Sequence, residues 1–131
     1  MTSRPTIADY MARDVATLPP GMEINHAVAV LLEKGYSGAP VVDGSGKLLG
    51  VLSMKDCLRA ALNASYFQEW GGTVADYMST TVETLDAELD IVEAAERFLD
   101  SQYRRFPVIS EGRLVGQISR ADLLKALAEQ W

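Results

Sequence analysis

Thr6-Ile7-Ala8-Asp9-Tyr10-Met11 returns 67 residues later as Thr73-Val74-Ala75-Asp76-Tyr77-Met78. Self-similarity at a fixed period marks a repeat architecture, and it divides the rest of the chain. The register holds through Val15/Val82, Thr17/Thr84, Leu18/Leu85, Ile24/Ile91, Ala27/Ala94, Leu32/Leu99, Tyr36/Tyr103 and Pro40/Pro107. One residue is dropped where Asp43-Gly44-Ser45-Gly46 stands opposite Ser110-Glu111-Gly112. Beyond it Leu48/Leu114, Gly50/Gly116, Ser53/Ser119 and Asp56/Asp122 agree at an offset of 66. The chain is a duplication, with copies over 6–62 and 73–128 and a linker over 63–72.

Each copy has one order of elements. A lead-in (Asp9 to Met11) precedes a brief extended piece, Val15 to Leu18, which Pro19-Pro20-Gly21 stops. Ile24, Ala27, Val28, Leu31 and Leu32 then share one face of a helix, and Ile91, Ala94, Ala95, Phe98 and Leu99 repeat the stripe. Two apolar runs around a Gly-rich turn, Ala39 to Val42 and Lys47 to Leu52, predict a hairpin. Their counterparts are Phe106 to Ser110 and Arg113 to Ile118. Final helices are predicted from about Ser53 to Leu62 and from about Ser119 to Ala128. A β-α-β-β-α unit of ~55 residues buries both faces of its sheet poorly alone. The pattern therefore predicts an α+β fold, with two copies packed sheet to sheet about a pseudo-twofold axis. The aromatic linker around Tyr66, Phe67 and Trp70 is expected to dock in part.

The totals exclude several classes. A net charge of -6 argues against a general nucleic-acid surface, because non-specific affinity comes from phosphate neutralisation by Lys and Arg. No apolar run approaches the ~20 residues that cross a bilayer, and Met1 to Pro5 lacks a secretory apolar segment. Cys57 is the sole cysteine, which rules out an internal disulfide and fits a cytoplasmic location. His26 has no evident partner for a Ser-His-Asp set. There is neither a metal-ligand cluster nor a Gly-x-x-x-x-Gly-Lys phosphate loop, so no catalysis is expected.

The chemistry concentrates in copy two. Tyr103-Arg104-Arg105-Phe106-Pro107 enters a strand through two arginines, and Ser119-Arg120-Ala121-Asp122 opens a helix with a hydroxyl and a carboxylate. Arg104, Arg105 and Arg120 offer a locally positive patch on an acidic molecule. Plainer readings stand beside this one. Ser-x-x-Asp is also a capping box, in which the side chains satisfy free N–H groups at the helix start. The arginines could instead be a solvated pair facing Asp100 or Glu96, and neighbours in an extended segment point to opposite sides. Tyr36 and Tyr103 serve equally well as packing residues. Asp9 and Asp76 are expected to cap the lead-in turns, and Cys57 to be a small buried hydrophobe.

Two copies of this order, with Gly-Tyr-Ser-Gly-Ala-Pro-Val-Val, Gly50-Val51-Leu52-Ser53 and Ser-x-x-Asp, resemble a tandem pair of CBS (cystathionine-β-synthase) domains, or Bateman module. The resemblance covers roughly residues 6 to 128. It implies clefts between the repeats that bind AMP, ADP, ATP or S-adenosylmethionine. It also implies that Asp122 and Asp56, with Ser119 and Ser53, hold ribose hydroxyls. Ala16 and Tyr36 of copy one, and Glu83 and Tyr103 of copy two, fall at adenine-side positions. Arg104 and Arg105 match the phosphate side, whereas copy one has Ser37 and Gly38 there. One good site is therefore expected, built from Asp122, the arginines and copy-one backbone. The implied function is a non-enzymatic, energy-sensing regulatory module acting through an effector protein. A homodimer is implied too, joined by apolar faces around Ala60, Leu62, Ala126 and Leu127. The alternatives are a ligand-free interaction module and an S-adenosylmethionine sensor, for which the arginines would be dispensable.

Overall fold

Ile24, Ala27 and Leu31 are spaced three and four residues apart, which gathers them on one side of a helix. In the computed structural model, which describes residues 4–131, they are the buried residues of α1 (Ile24–Lys34). Gly35 ends that helix in left-handed backbone, at φ 70°, with its N–H on the carbonyls of Leu31 and Leu32. β1 (Gly38–Val42) and β2 (Leu48–Ser53) form the antiparallel hairpin. Asp43 Oδ1 closes its turn by accepting from Ser45 N, Ser45 Oγ and Lys47 N at 2.9, 2.7 and 3.0 Å. α2 (Met54–Phe67) and the short α3 (Val74–Tyr77) follow. The order then returns as β3 (Leu85–Asp86), α4 (Ile91–Leu99), β4 (Arg105–Ser110), β5 (Arg113–Ser119) and α5 (Arg120–Gln130). The counterpart of α3 in copy one is a 3-10 turn, Ile7–Asp9.

The chain forms two compact units: Ala16–Val82, and the segment up to Val15 together with Glu83–Trp131. The lead-in of each copy thus folds with the body of the other. The Ala16–Val82 core gathers Leu18, Ile24, Leu31, Val41, Leu52 and Cys57 around Val74 from α3. The other core gathers Leu85, Ile91, Phe98, Phe106, Val108 and Ile118 around Ile7 and Met11. Capping boxes shape both lead-ins, with Asp9 Oδ2 accepting from Thr6 N at 2.9 Å and Asp76 Oδ2 from Thr73 N at 2.8 Å. Past the turns the backbone lies against a strand. Val51 and Ser79 exchange two bonds of 2.9 Å, and Ala12 and Gln117 exchange bonds of 2.8 and 2.9 Å.

Several expectations are corrected. Copy one has no regular first strand: Leu18 makes a single parallel bridge to Val41. Copy two has the two residues of β3, parallel to β4, beside the antiparallel β4–β5 pair. Just past β3, the carbonyls of Ala87 and Leu89 turn to the lead-in instead, accepting from Ala8 N and Ile7 N at 2.9 Å each. α2 runs five residues past Leu62 into the supposed linker, since Asn63-Ala64-Ser65-Tyr66-Phe67 contains no Gly or Pro to stop it. Tyr66 and Phe67 are exposed rather than docked, and Leu32 and Leu99 lie outside the cores. Ala60 and Ala126, expected on an outer contact face, are 2% and 0% exposed inside the cores. Leu62 is exposed and Leu127 packs against its unit's core. Among the described residues, no helix is long and apolar enough to cross a membrane.

Candidate functional site

A strand that ends in Ser-x-x-Asp hands its last residue to the next helix as a cap, and β5 does this. Ser119 pairs with Arg105 across the β4–β5 ladder and is the N-cap of α5. Its Oγ accepts from Asp122 N at 3.1 Å, and Asp122 Oδ2 accepts from Ser119 N at 2.9 Å. The capping reading therefore holds, and it uses one carboxylate oxygen. Asp122 Oδ1 has no hydrogen-bond partner among the described residues, and the side chain is half-buried.

The ladder brings the three arginines to this end. Arg120 N donates to Arg104 O at 3.1 Å, which ties the residue before β4 to the first turn of α5. Arg104, Arg105 and Arg120 are exposed, and among the described residues none is in an ion pair. The pairing with Asp100 or Glu96 is not formed. Three unpaired guanidinium groups beside a helix N-terminus make a local positive field. The carboxylate with one open oxygen is an acceptor for hydroxyls.

The same frame exists in the Ala16–Val82 unit, with different chemistry. Met54 N donates to Ser37 O at 2.9 Å and Gly38 pairs with Ser53, so Ser37, Gly38 and Met54 stand for Arg104, Arg105 and Arg120. A Cβ on Gly38 would meet Leu52 O at 2.8 Å, so this strand entry admits no arginine without a backbone shift. Asp56 Oδ2 accepts from Ser53 N and Ser53 Oγ, each at 2.9 Å, and Asp56 Oδ1 accepts from Arg59 Nη1 at 3.2 Å. Both oxygens are engaged. Ala16 and Tyr36 are exposed in this unit.

A cavity of about 560 Å³ lies in the other unit, lined by Glu83 and Thr84, by Arg97 and Asp100 at the end of α4, and by Tyr103 and Phe106. It unites the two adenine-side candidates of copy two, Glu83 and Tyr103, while Asp122 and the arginines of β4 and α5 do not line it. The Tyr103 ring also meets Phe106 edge-on at 5.4 Å, and Phe106 meets Phe98 at 4.7 Å, so Tyr103 is both wall and packing. Arg97 escaped the sequence reading, and Asp100 entered it only as a candidate partner of the arginines, because a charged helix end looks like any solvated face. The signal available was their nearness in sequence to Tyr103. Among the described residues, no group of three or more His, Cys, Asp or Glu is placed to hold a metal.

The CBS domain model matches residues 7–63 and 74–129, both copies of the repeat. The chain belongs to the CBS domain family. This CBS pair is 30% identical over 95% of its length to uncharacterized protein MJ1225 of Methanocaldococcus jannaschii, and spans 44% of that protein. It is 28% identical to the chloroplastic CBS domain-containing protein CBSX1 of Arabidopsis thaliana, covering 92% of this chain and 63% of the relative. The chain thus spans about half the length of these relatives. The crystal structure of CBSX2 in complex with AMP has a TM-score of 0.79 and 27% identity to this CBS pair, over 96% of this chain and 98% of that one; CBSX2 is also from Arabidopsis thaliana.

Proposed function

We propose that this CBS pair is a non-enzymatic regulatory module that binds an adenosine nucleotide and signals through a partner protein. The observation that carries the reading is the Ser119–Asp122 end, where Arg104, Arg105 and Arg120 stand unpaired beside a carboxylate with one open oxygen. In this reading Asp122 receives ribose hydroxyls and the arginines receive phosphate, while the cavity of Glu83 and Tyr103, which these groups do not line, is the candidate place for the base. The AMP complex of the CBSX2 relative supports an adenosine ligand. Three unpaired arginines count against S-adenosylmethionine as the main ligand, since its one carboxylate is outweighed by its ammonium and sulfonium charges, whereas a nucleotide brings only negative charge to them. Output requires a partner that distinguishes two conformations, because a ligand shifts an equilibrium only by its differential affinity.

Thermal melts with AMP, ADP, ATP and S-adenosylmethionine, each at about 1 mM, test the reading. A ligand at ~100 times its dissociation constant stabilises by ~2.7 kcal/mol. A nucleotide is expected to raise the melting temperature, and Arg104→Ala/Arg105→Ala to remove that rise. If S-adenosylmethionine alone raises it, and does so without the arginines, the sensor of that ligand replaces the nucleotide module. If no adenosine ligand moves the melt, a ligand-free interaction module is the correct reading.

A homodimer belongs to the same proposal, with the contact moved from the buried alanines. Leu58, Leu62 and Tyr66 recur every four residues along exposed α2, and Leu124 and Trp131 are exposed on and after α5. Light scattering is expected to give twice the chain mass, and Leu58→Asp/Tyr66→Asp to halve it. A wild-type mass of one chain would remove the dimer.

A further inference from the structure

The two Ser-x-x-Asp ends differ at the residue one helical turn beyond the aspartate. In the Ala16–Val82 unit it is Arg59, whose guanidinium Nη1 lies 3.2 Å from Asp56 Oδ1. In the other unit the equivalent position is Lys125, which is exposed and, among the described residues, makes no ion pair with Asp122. The Asp56 side chain is 11% exposed, while that of Arg59 is 55% exposed. The carboxylate is therefore held close to the protein, and the oxygen that Ser53 does not use is covered on its solvent side by the Arg59 guanidinium.

We infer that Arg59 closes the Ser53–Asp56 end to ribose hydroxyls and thereby confines nucleotide uptake to the Asp122 end. The inference rests on the nucleotide reading above and assigns Arg59 a specificity role within it. A sugar diol needs a carboxylate oxygen to donate to. Asp56 Oδ2 is already shared by Ser53 N and Ser53 Oγ, and Asp56 Oδ1 is taken by Arg59. A ligand there must share Oδ1 with the Arg59 guanidinium or displace it, whereas at Asp122 it meets a free oxygen. Lys125 makes no such bond to Asp122 among the described residues, and its compact, strongly hydrated ammonium on a flexible stem is held over a carboxylate less readily than a guanidinium. Arg59 is a positioning residue that acts through Asp56.

The experiment follows backbone amides by NMR in the full chain during titration with AMP, and with adenosine, since the Asp56 end has Ser37, Gly38 and Met54 where the other end has Arg104, Arg105 and Arg120. In the wild type, Ser119 to Asp122 should shift saturably and Ser53 to Asp56 should not. Arg59→Ala, and Arg59→Gln as a second variant retaining bulk, should make Ser53 to Asp56 respond with affinity raised by at least about tenfold. Adding Asp56→Asn should abolish the gain. Lys125→Arg should close the other end, weakening AMP there by about tenfold. If both ends respond alike in the wild type, or the Asp56 end stays silent in both Arg59 variants while Asp122 binds, Arg59 has no such role. If neither ligand is bound at either end in any of these proteins, the nucleotide reading itself fails and the inference goes with it.

Discussion

Gly50 and Gly116 show how a missing side chain holds a fold together. Each sits in the second strand of a hairpin, where the lead-in backbone crosses. A Cβ on Gly116 would lie 2.7 Å from both Ala12 O and Met11 Sδ, and one on Gly50 would lie 2.5 Å from Ser79 O. Backbone cannot swing aside as a flexible side chain can, so an added methyl either breaks the Ala12–Gln117 and Val51–Ser79 bonds or strains the strand. Gly116→Ala and Gly50→Ala are each expected to cost ~1–3 kcal/mol in urea unfolding, whereas Gly44→Ala, with nothing near its Cβ, should change far less. Equal costs at all three positions would mean the close approach is unimportant. Cys57 offers a second check at this scale. Burial, and then the neighbouring Asp56 charge, push its thiol pKa up. Iodoacetamide at neutral pH should therefore label the native chain much more slowly than the unfolded one. Comparable rates would show that the core around Cys57 opens freely.

At the scale of elements, the Ser119 cap and the Asp122 carboxylate have separable jobs. Ser119 Oγ holds Asp122 N at the start of α5, so Ser119→Ala is expected to lose ~0.5–2 kcal/mol of stability. Asp122→Asn keeps an acceptor for Ser119 N but loses the charge, so it should weaken nucleotide binding more than folding. Melts of both variants, with and without AMP, separate the two roles. If each variant loses stability and AMP response in proportion, Asp122 is a cap alone. These elements were readable from the sequence because their signals are local. Apolar runs around a Gly-rich turn gave the hairpins, and Ser-x-x-Asp gave the caps of α2 and α5. The first strands were not readable, because a two-residue β3 or a single Leu18–Val41 bridge depends on a distant partner rather than on its own pattern. Arg59 on Asp56 was equally invisible: a turn-spaced Asp and Arg look the same whether they pair or not, and the Lys at 125 does not.

For the whole molecule, the duplication and its family were legible, since matched residues at offsets of 67 and 66 survive any local ambiguity. Which lead-in completes which core was not, because Ile7/Val74 and Met11/Met78 fit either core by composition. The exchange carries a consequence for cutting the chain. Ala16–Val82 is a continuous stretch that contains its whole core, including Val74 at 0% exposure. It also keeps the bonds from Val74 N to Met22 O at 2.9 Å, Ala75 N to Pro20 O at 3.0 Å and Ile24 N to Gly72 O at 3.1 Å. A fragment cut at the repeat boundary, 6–72, keeps copy one intact but lacks α3. It uncovers the surface that Val74 and Tyr77 bury, at ~1.5–3 kcal/mol for one such apolar side chain, and leaves Ile7 and Met11 without their core. Domains this small have little stability to lose. The fragment 16–82 is therefore expected to unfold cooperatively in urea, while 6–72 shows a broad, low-midpoint transition and binds a hydrophobic dye. Equal, cooperative transitions for the two fragments would show that each copy folds with its own lead-in once the other is absent, and that the exchange is not required for either core.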